Sequence, residues 1–289
     1  MKKRTSDDKW GLTALHKKML EILMYINEFC KNNNIDYALA YGSTLGAVRH
    51  SGFIPWDDDA DVYMTLDGYK RFKELFNISG DKEKFYLQEM DSVNGMITFA
   101  KLRMNGTTYI EPLFQNYDIH HGIYVDIFIL FNAPRYSIQR RMMNLANQYL
   151  QLKDLSNRGY NENKNFALLL ACLRLFPYNF GRKRALEYIY RISNMTESDE
   201  YYDTDLRKYS KSFYRKDIIF PSIKCEFEGI QLQIPNQPEK YLTLLYGDYK
   251  RIPSLDSIRH SQHAMKWSTT EDFHMLTLAS SDYTDEHRF

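Results

Sequence analysis

The sequence has little that would mark an exported or membrane-spanning protein. Its three cysteines, Cys30, Cys172 and Cys225, lie far apart without metal-ligand spacing, and an odd number cannot all pair within the chain. The longest apolar run, residues 166–173, is shorter than the roughly 20 residues that cross a bilayer. After its basic first residues the N-terminus continues as polar sequence, where a signal peptide would have an apolar core. We therefore expect a cytoplasmic protein in a reducing environment, soluble or peripheral at the inner face of the membrane.

A strong excess of charge of one sign is also absent. The 289 residues include 38 basic and 37 acidic side chains. Such a balance argues against a generic nucleic-acid binder, so we expect no nucleic-acid partner. The length allows a large core, in one elaborated domain or in two.

The most informative stretch of the sequence is a crowded run of carboxylates. Four aspartates, Asp57, Asp58, Asp59 and Asp61, fall within five positions. Their mutual repulsion must be offset by cations or by full solvation. If residues 59–64 form a strand, its two-residue alternation places Asp59 and Asp61 on one face. Hard carboxylate oxygens there would suit Mg²⁺ or Mn²⁺, whereas the alternative is a solvated or calcium-binding acidic loop.

A glycine-serine pair precedes these aspartates. Gly42 and Ser43 follow residues 35–41, which have the composition of a short strand. A glycine lets the backbone approach a ligand closely, and exposed amides with a hydroxyl donor suit a phosphate. By itself the pair predicts an ordinary turn. Beside the aspartates it predicts a phosphate site next to a metal site.

The rest of the chain alternates helical and strand patterns. Apolar residues at helical spacing predict a helix over residues 12–29 that packs on the following sheet. Residues 66–76 and 238–247 also favour helices, whereas the final residues are polar and are expected to be partly loose. This mixture predicts an α+β fold.

A later strand contributes a further carboxylate. Residues 122–130 are apolar at nearly every position except Asp126. An isolated aspartate there would be interpreted as the cap of a strand end. Because a carboxylate in so apolar a segment needs a partner, we expect Asp126 to be a third metal ligand with Asp59 and Asp61.

Residues 135–184 form a helical and basic segment. They contain ten basic and two acidic residues, a local net charge of +8. Apolar residues between these charges would let the segment contact an anionic membrane surface or receive an anionic acceptor. A helical subdomain with a solvated basic face explains the pattern equally well.

Residues 41–50 and 54–61 resemble the signature of the LicD family, and residues 122–128 and 246–249 extend the resemblance. This family includes bacterial phosphocholine transferases and is related to fukutin-related protein. The resemblance implies a nucleotidyltransferase-like mixed β-sheet core flanked by helices, with a largely helical insertion. We expect a catalytic core with its N-terminal helix over residues 1–133, a basic insertion over 134–220, and a C-terminal strand-helix segment over 221–289 that packs back on the core.

The resemblance also implies an activity. It predicts a metal-dependent phosphotransferase that moves phosphocholine from CDP-choline to a sugar hydroxyl of a teichoic acid, capsule or lipopolysaccharide precursor, free or lipid-linked, and releases CMP. CDP-glycerol or CDP-ribitol would present the same diphosphate and cytidine. A nucleotidyltransferase that releases pyrophosphate and a non-catalytic scaffold with the same fold are the remaining alternatives.

The residues predict further roles within this activity. Asp57 or Asp58 would support the metal ligands or serve as a base toward the acceptor hydroxyl. Trp56 would belong to an aromatic cage for a quaternary ammonium group, although most aromatic residues fill the core. Basic residues that would hold the donor phosphates are Arg49, Lys101 and Arg103.

Overall fold

The computed structural model describes residues 8–89, 99–112, 114–158, 164–177, 179–195, 198–206, 209–259 and 262–274. Its helices are α1 (Thr13–Asn33), α2 (Tyr41–His50), α3 (Leu66–Ser79), α4 (Ser137–Arg158), α5 (Lys164–Arg174), α6 (Arg182–Met195), α7 (Lys216–Ile219), α8 (Pro238–Tyr246) and α9 (Leu255–Arg259). Its strands are β1 (Tyr37–Leu39), β2 (Asp61–Thr65), β3 (Phe85–Gln88), β4 (Ala100–Met104), β5 (Thr108–Ile110), β6 (Tyr124–Asn132), β7 (Glu200–Asp203), β8 (Phe213–Arg215), β9 (Ile223–Phe227), β10 (Ile230–Ile234) and β11 (Lys266–Ser268). The α+β prediction is confirmed.

A mixed sheet forms the centre of the fold. Its strands run in the order β1-β2-β6-β4-β3, and β7 pairs with β6 and with β8. The β2–β6 pair is parallel, whereas β1–β2, β4–β6 and β6–β7 are antiparallel. Strand β6 is buried at every position from Tyr124 to Phe131 because strands pair along both of its edges and core side chains pack on both of its faces. This central strand carries Asp126 into the interior.

The predicted N-terminal helix is confirmed as α1. Leu15, Met19, Ile22, Leu23 and Ile26 recur at helical spacing and are all fully buried. The helix contacts β4 and β6, so its apolar stripe covers one face of the sheet. It ends where Asn34 adopts a left-handed backbone, with φ of 52°.

Two boundaries near the acidic stretch differ from the prediction. The expected glycine-serine turn is the first turn of α2, because Tyr41, with φ of 38°, redirects the chain from β1 into a helix. Strand β2 begins at Asp61, so Asp59 lies before the strand and strand alternation does not position it. A turn closed by the Asp57 N–H and the Ile54 carbonyl, at 3.0 Å, occupies the preceding residues.

The segment expected as an insertion supplies both helices and strands. Helices α4, α5 and α6 confirm the helical prediction for residues 135–184. Strands β7 and β8 lie within the range expected for the insertion, residues 134–220, and they extend the central sheet. The three domain ranges remain a prediction. Among the described residues, no helix is both long and apolar enough to span a bilayer.

The described C-terminal residues include a helix and a strand. Helix α8 confirms the helix predicted for residues 238–247. The tail was expected to be partly loose, but within residues 262–274 strand β11 pairs with β5, and Trp267 lies opposite Tyr109. Residues 275–289 lie outside the described part of the chain.

Candidate active site

Two buried carboxylates lie side by side at the centre of the sheet. In the parallel β2–β6 pair, Asp61 is the register partner of Asp126, so both side chains project from the same face. Burial raises the pKa of Asp61 well above its usual value, and the charges of Asp59 and Asp126 add to this effect. Burial raises the pKa of Asp126 to about 6, against an opposing effect of Lys101. The pair therefore favours a cation or a proton between the strands.

The loop before β2 brings further carboxylates to this pair. Burial raises the pKa of Asp57 well above its usual value, and the charges of Asp59 and Asp58 raise it further. Asp59 also interacts electrostatically with Asp61 and Asp126. Each of the five aspartates therefore lies within electrostatic range of at least one other, and Asp59 comes from the loop and not from the strand.

Asp58 binds the backbone of a C-terminal segment. Its carboxylate accepts hydrogen bonds from the backbone N–H groups of His263, at 2.8 and 3.0 Å, and of Ala264, at 2.7 Å. The His263 Nδ1 atom lies 3.3 Å from Asp58 and 3.2 Å from Asp59. These two carboxylates raise the pKa of His263 to about 11, so its imidazole is charged at neutral pH. Asp58 therefore supports the site by holding this segment in place. Sequence spacing could not predict this contact, because Asp58 and His263 are 205 residues apart.

The first turn of α2 closes another side of the site. The Ser43 hydroxyl accepts a hydrogen bond from the Asp61 N–H at 2.9 Å and so fixes the start of β2. At Gly42, a Cβ atom would lie 2.7 Å from the Asp57 Oδ2 atom. A side chain there would displace the carboxylate, so glycine is needed for the close approach of α2 to the acidic loop.

The expected phosphate contacts Lys101 and Arg103 are buried in the sheet. The Lys101 Nζ atom lies 2.9 Å from Asp126 and 3.5 Å from Glu111. The Arg103 guanidinium donates hydrogen bonds to the Gln88 side chain, at 2.6 Å, and to the Gly122 carbonyl, at 3.0 Å. Lys101 thus neutralises part of the carboxylate charge, and Arg103 in this conformation does not match the expected contact with donor phosphates. Glu111, which the sequence patterns did not single out, joins the same network.

Arg49 and Trp56 lie together at another edge of the site. The guanidinium carbon of Arg49 is 5.9 Å from the centre of the Trp56 ring, and Arg49 is also in electrostatic range of Asp57 and Tyr246. Tyr246, at the end of α8, interacts electrostatically with the aspartates. Trp10 lies 6.0 Å from Trp56, centroid to centroid. An arginine and aromatic rings therefore border the carboxylates.

Another buried carboxylate lies behind the site. Asp203 on β7 accepts hydrogen bonds from the hydroxyl groups of Tyr41 and Tyr63, both at 2.6 Å. The Tyr241 hydroxyl accepts the Tyr41 N–H at 2.9 Å and donates to the Tyr63 hydroxyl at 3.2 Å. This network ties α2 and β2, which form the site, to β7 and α8. Asp203 and Tyr241 lie too far away in sequence for spacing to have revealed them.

We expect the Tyr63→Phe substitution to lower the free energy of unfolding by about 2 kcal/mol, because the buried Asp203 carboxylate loses a charge-assisted hydrogen bond. Urea denaturation followed by circular dichroism measures this change. The matched control is Tyr86→Phe on β3, where the side chain is 44% exposed, and its expected effect is near zero. Equal effects of the two substitutions would contradict the proposed strength of the Asp203 network.

The described carboxylates supply only part of a ligand set for a divalent cation. Within the described residues, no group of three histidine, cysteine, aspartate or glutamate side chains is arranged to bind a metal ion. Mg²⁺ is usually bound by one or two protein carboxylates together with substrate phosphates. The adjacent, buried Asp61 and Asp126, with raised pKa values, provide such a partial ligand set.

Comparison with known proteins gives consistent matches. Residues 34–154, from β1 into α4, match the family model described as the LicD/FKTN/FKRP nucleotidyltransferase domain. The chain is 29% identical over 245 residues to the lipopolysaccharide cholinephosphotransferase LicD of Haemophilus influenzae, covering 81% of this chain and 89% of that protein. The chain is also 35% identical over 57 residues to an uncharacterized protein of Rickettsia typhi, and this match covers 20% of this chain and 18% of that protein. It is 43% identical over 44 residues to an uncharacterized protein of Rickettsia prowazekii, and this match covers 15% of this chain and 16% of that protein.

Proposed function

We propose that this chain, whose residues 34–154 match the LicD family model, is a phosphotransferase that moves phosphocholine from CDP-choline to a sugar hydroxyl of a cell-surface glycan and releases CMP. The relative from Haemophilus influenzae is a lipopolysaccharide cholinephosphotransferase, which supports lipopolysaccharide or its precursor as the acceptor. The observation that carries the proposal is the register pairing of the buried Asp61 and Asp126 beside the acidic loop. A lipid-linked acceptor would bring the enzyme to the inner membrane surface.

In the proposed reaction, an oxygen of the acceptor sugar attacks the phosphorus that carries choline. The bond from that phosphorus to the oxygen bridging it to CMP breaks, and CMP leaves with the bonding electrons. Asp61 and Asp126, together with Asp59, would hold a Mg²⁺ or Mn²⁺ ion. When bound, this ion would neutralise negative charge on the diphosphate. Arg49 and the first turn of α2 at Gly42 and Ser43 would orient the donor phosphates.

The acceptor hydroxyl must lose a proton during this step. Asp57 is the better candidate for the base, because burial and the neighbouring charges of Asp59 and Asp58 raise the pKa of its carboxyl, which makes the ionised carboxylate a stronger base. Asp58 is less suited, because its oxygens already accept the N–H groups of His263 and Ala264. The proton of the hydroxyl would pass to Asp57 as the new phosphorus–oxygen bond forms.

The donor can be identified by incubating the purified protein with Mg²⁺, lipopolysaccharide and each CDP-alcohol in turn. We expect CMP from CDP-choline and much slower release from CDP-glycerol or CDP-ribitol. Faster CMP release from CDP-glycerol or CDP-ribitol would show that the transferred group is phosphoglycerol or phosphoribitol and not phosphocholine. Pyrophosphate released from a nucleoside triphosphate would instead favour a nucleotidyltransferase, and absence of turnover with every donor would favour a scaffold.

We expect the Trp56→Leu substitution to weaken binding of CDP-choline about tenfold, because a cation–π contact is worth roughly 1–2 kcal/mol. Isothermal titration calorimetry with CDP-choline, and with CMP as the ligand that lacks the quaternary ammonium, measures the effect. The affinity for CMP should be unchanged. Equal losses for both ligands would assign Trp56 to the support of Arg49 and not to the head group.

A further inference from the structure

The corner between α5 and α6 presents large apolar side chains to solvent. Leu175 is 82% exposed and Leu168 is 67% exposed. Leu168 and Leu169 lie on α5, and Leu175 and Phe176 follow its last residue in turns, where their N–H groups donate to the carbonyls of Cys172, at 3.2 Å, and Leu173, at 3.4 Å. The apolar corner, as we define it, consists of Leu168, Leu169, Leu175, Phe176 and Phe180. Contiguous exposed apolar surface of this kind marks a binding site for a protein or a membrane.

Specific contacts hold the backbone of this corner. The buried Lys153 ammonium donates hydrogen bonds to the carbonyls of Leu173, at 2.6 Å, and of Phe176, at 2.9 Å. The rings of Phe176 and Phe180 stack with centroids 5.1 Å apart. The Tyr149 hydroxyl donates to the Phe180 carbonyl. The apolar side chains are therefore displayed by an ordered structure and not by a frayed helix end.

The adjoining helix adds positive charge where a helix by itself does not favour it. Arg182, Lys183 and Arg184 form the first turn of α6, which contains no acidic residue. Cations at a helix N-terminus oppose the helix dipole, so Lys183 and Arg184, both exposed, cost helix stability. Arg182 is used internally, because its Nε atom lies 3.2 Å from the buried Asp154 carboxylate. Lys183 Nζ lies 4.0 Å from the exposed Glu187 carboxylate, a surface pair worth little, so both charges remain available to an anionic partner.

We propose that the apolar corner, together with Lys183 and Arg184, docks the protein on an anionic lipid bilayer. The apolar side chains would enter the boundary between head groups and acyl chains, and the cations would contact lipid phosphates. The charge argues for this partner, because residues 135–184 carry +8 in a chain whose net charge is +1. Helix α6, which carries Lys183 and Arg184 in its first turn, also contacts β6, the strand that carries Asp126.

Vesicle sedimentation with the full chain tests this proposal without any need for catalysis. Vesicles of phosphatidylcholine alone are compared with vesicles that contain phosphatidylglycerol, at low and high salt. We expect binding to the anionic vesicles to be at least tenfold stronger, and to weaken as salt rises. Failure to bind anionic vesicles at low salt would overturn the proposal, whatever the transfer activity of the protein.

Two double variants separate the apolar and charged contributions. Leu175→Ser with Phe176→Ser should weaken vesicle binding at least tenfold, and Lys183→Glu with Arg184→Glu should also reduce its salt dependence. Matched controls are Ile78→Ser, at a side chain that is 74% exposed on α3, and Lys31→Glu with Lys250→Glu, also at exposed positions. The controls should bind as the unsubstituted chain does.

The same variants identify a competing occupant of the corner. Sedimentation velocity measures whether the chain self-associates without lipid. A dimer that Leu175→Ser with Phe176→Ser dissociates, combined with vesicle binding that this variant leaves unchanged, would assign the corner to a second copy of the chain and overturn the proposal. A monomer whose vesicle binding is lost in both double variants would support it.

Discussion

Replacing Asp61 by asparagine should lower phosphocholine transfer by about 10³-fold, the scale of loss found when a key electrostatic group is removed from an active site. The asparagine side chain keeps the shape of aspartate but supplies one neutral oxygen where the carboxylate has a charge. Asp61 is buried beside Asp126 and carries no salt bridge of its own among the described contacts, so its charge is free to neutralise a bound cation. Initial rates of CMP release from CDP-choline measure the loss.

The same substitution should not destabilise the fold. Burial and the charges of Asp59 and Asp126 raise the pKa of Asp61, so its ionised form is unfavourable in the folded state. A neutral amide removes that repulsion, and the melting temperature in EDTA should be equal to or above that of the unsubstituted protein. Asp67→Asn, at an exposed aspartate on α3, serves as the control and should retain full activity. An Asp61→Asn protein that is folded and fully active would exclude Asp61 from the chemistry.

Replacing Lys101 by methionine should reduce the free energy of unfolding by about 3 kcal/mol, because removal of one partner leaves a buried charge uncompensated. The Lys101 side chain is 2% exposed and pairs with Asp126 and Glu111. Its ammonium also lies 3.4 Å from the centre of the Tyr124 ring. Methionine preserves most of the volume, so urea denaturation of the metal-free protein reports mainly the loss of charge.

The pH dependence of this variant follows from Asp126. The pKa of Asp126 in the folded protein is about 6 even with Lys101 in place, above its unfolded value, and loss of the ammonium raises it further. Protonation of Asp126 therefore stabilises the fold, and this stabilisation is lost as the pH rises through the folded pKa. The Lys101→Met protein should consequently recover stability as the pH falls from 8 through the folded pKa of Asp126 toward the unfolded value of about 3.9. Lys73→Met, which breaks a half-exposed pair with Glu89, should cost at most about 1 kcal/mol at either pH.

Local patterns were sufficient to predict some of the elements that build the site. Helical spacing of apolar residues gave α1, and an apolar run interrupted by one aspartate gave β6 with Asp126 inside it. The crowding of Asp57, Asp58, Asp59 and Asp61 indicated a common location, because ionised carboxylates are not placed together without compensation. Such inferences depend on neighbours in sequence, which periodicity describes well.

The parts that could not be predicted depend on contacts between distant residues. His263 and Ala264 bind Asp58 across more than 200 residues, and Tyr41 is held by Tyr241 and Asp203. Local patterns also could not show that Lys101 would turn inward, because a lysine in a short strand is equally suited to solvent. The left-handed backbone of Tyr41, which replaces the expected turn by the start of α2, is set by these tertiary hydrogen bonds.

The most direct test of the central claim follows radiolabelled choline from CDP-choline into lipopolysaccharide, with Mg²⁺ and the purified full-length chain. We predict one CMP released for each choline transferred, with transfer lost in EDTA and in the Asp61→Asn protein, and retained in the Asp67→Asn protein. Transfer that continues at the full rate in the Asp61→Asn protein, or a folded protein that releases no CMP from any CDP-alcohol, would contradict it.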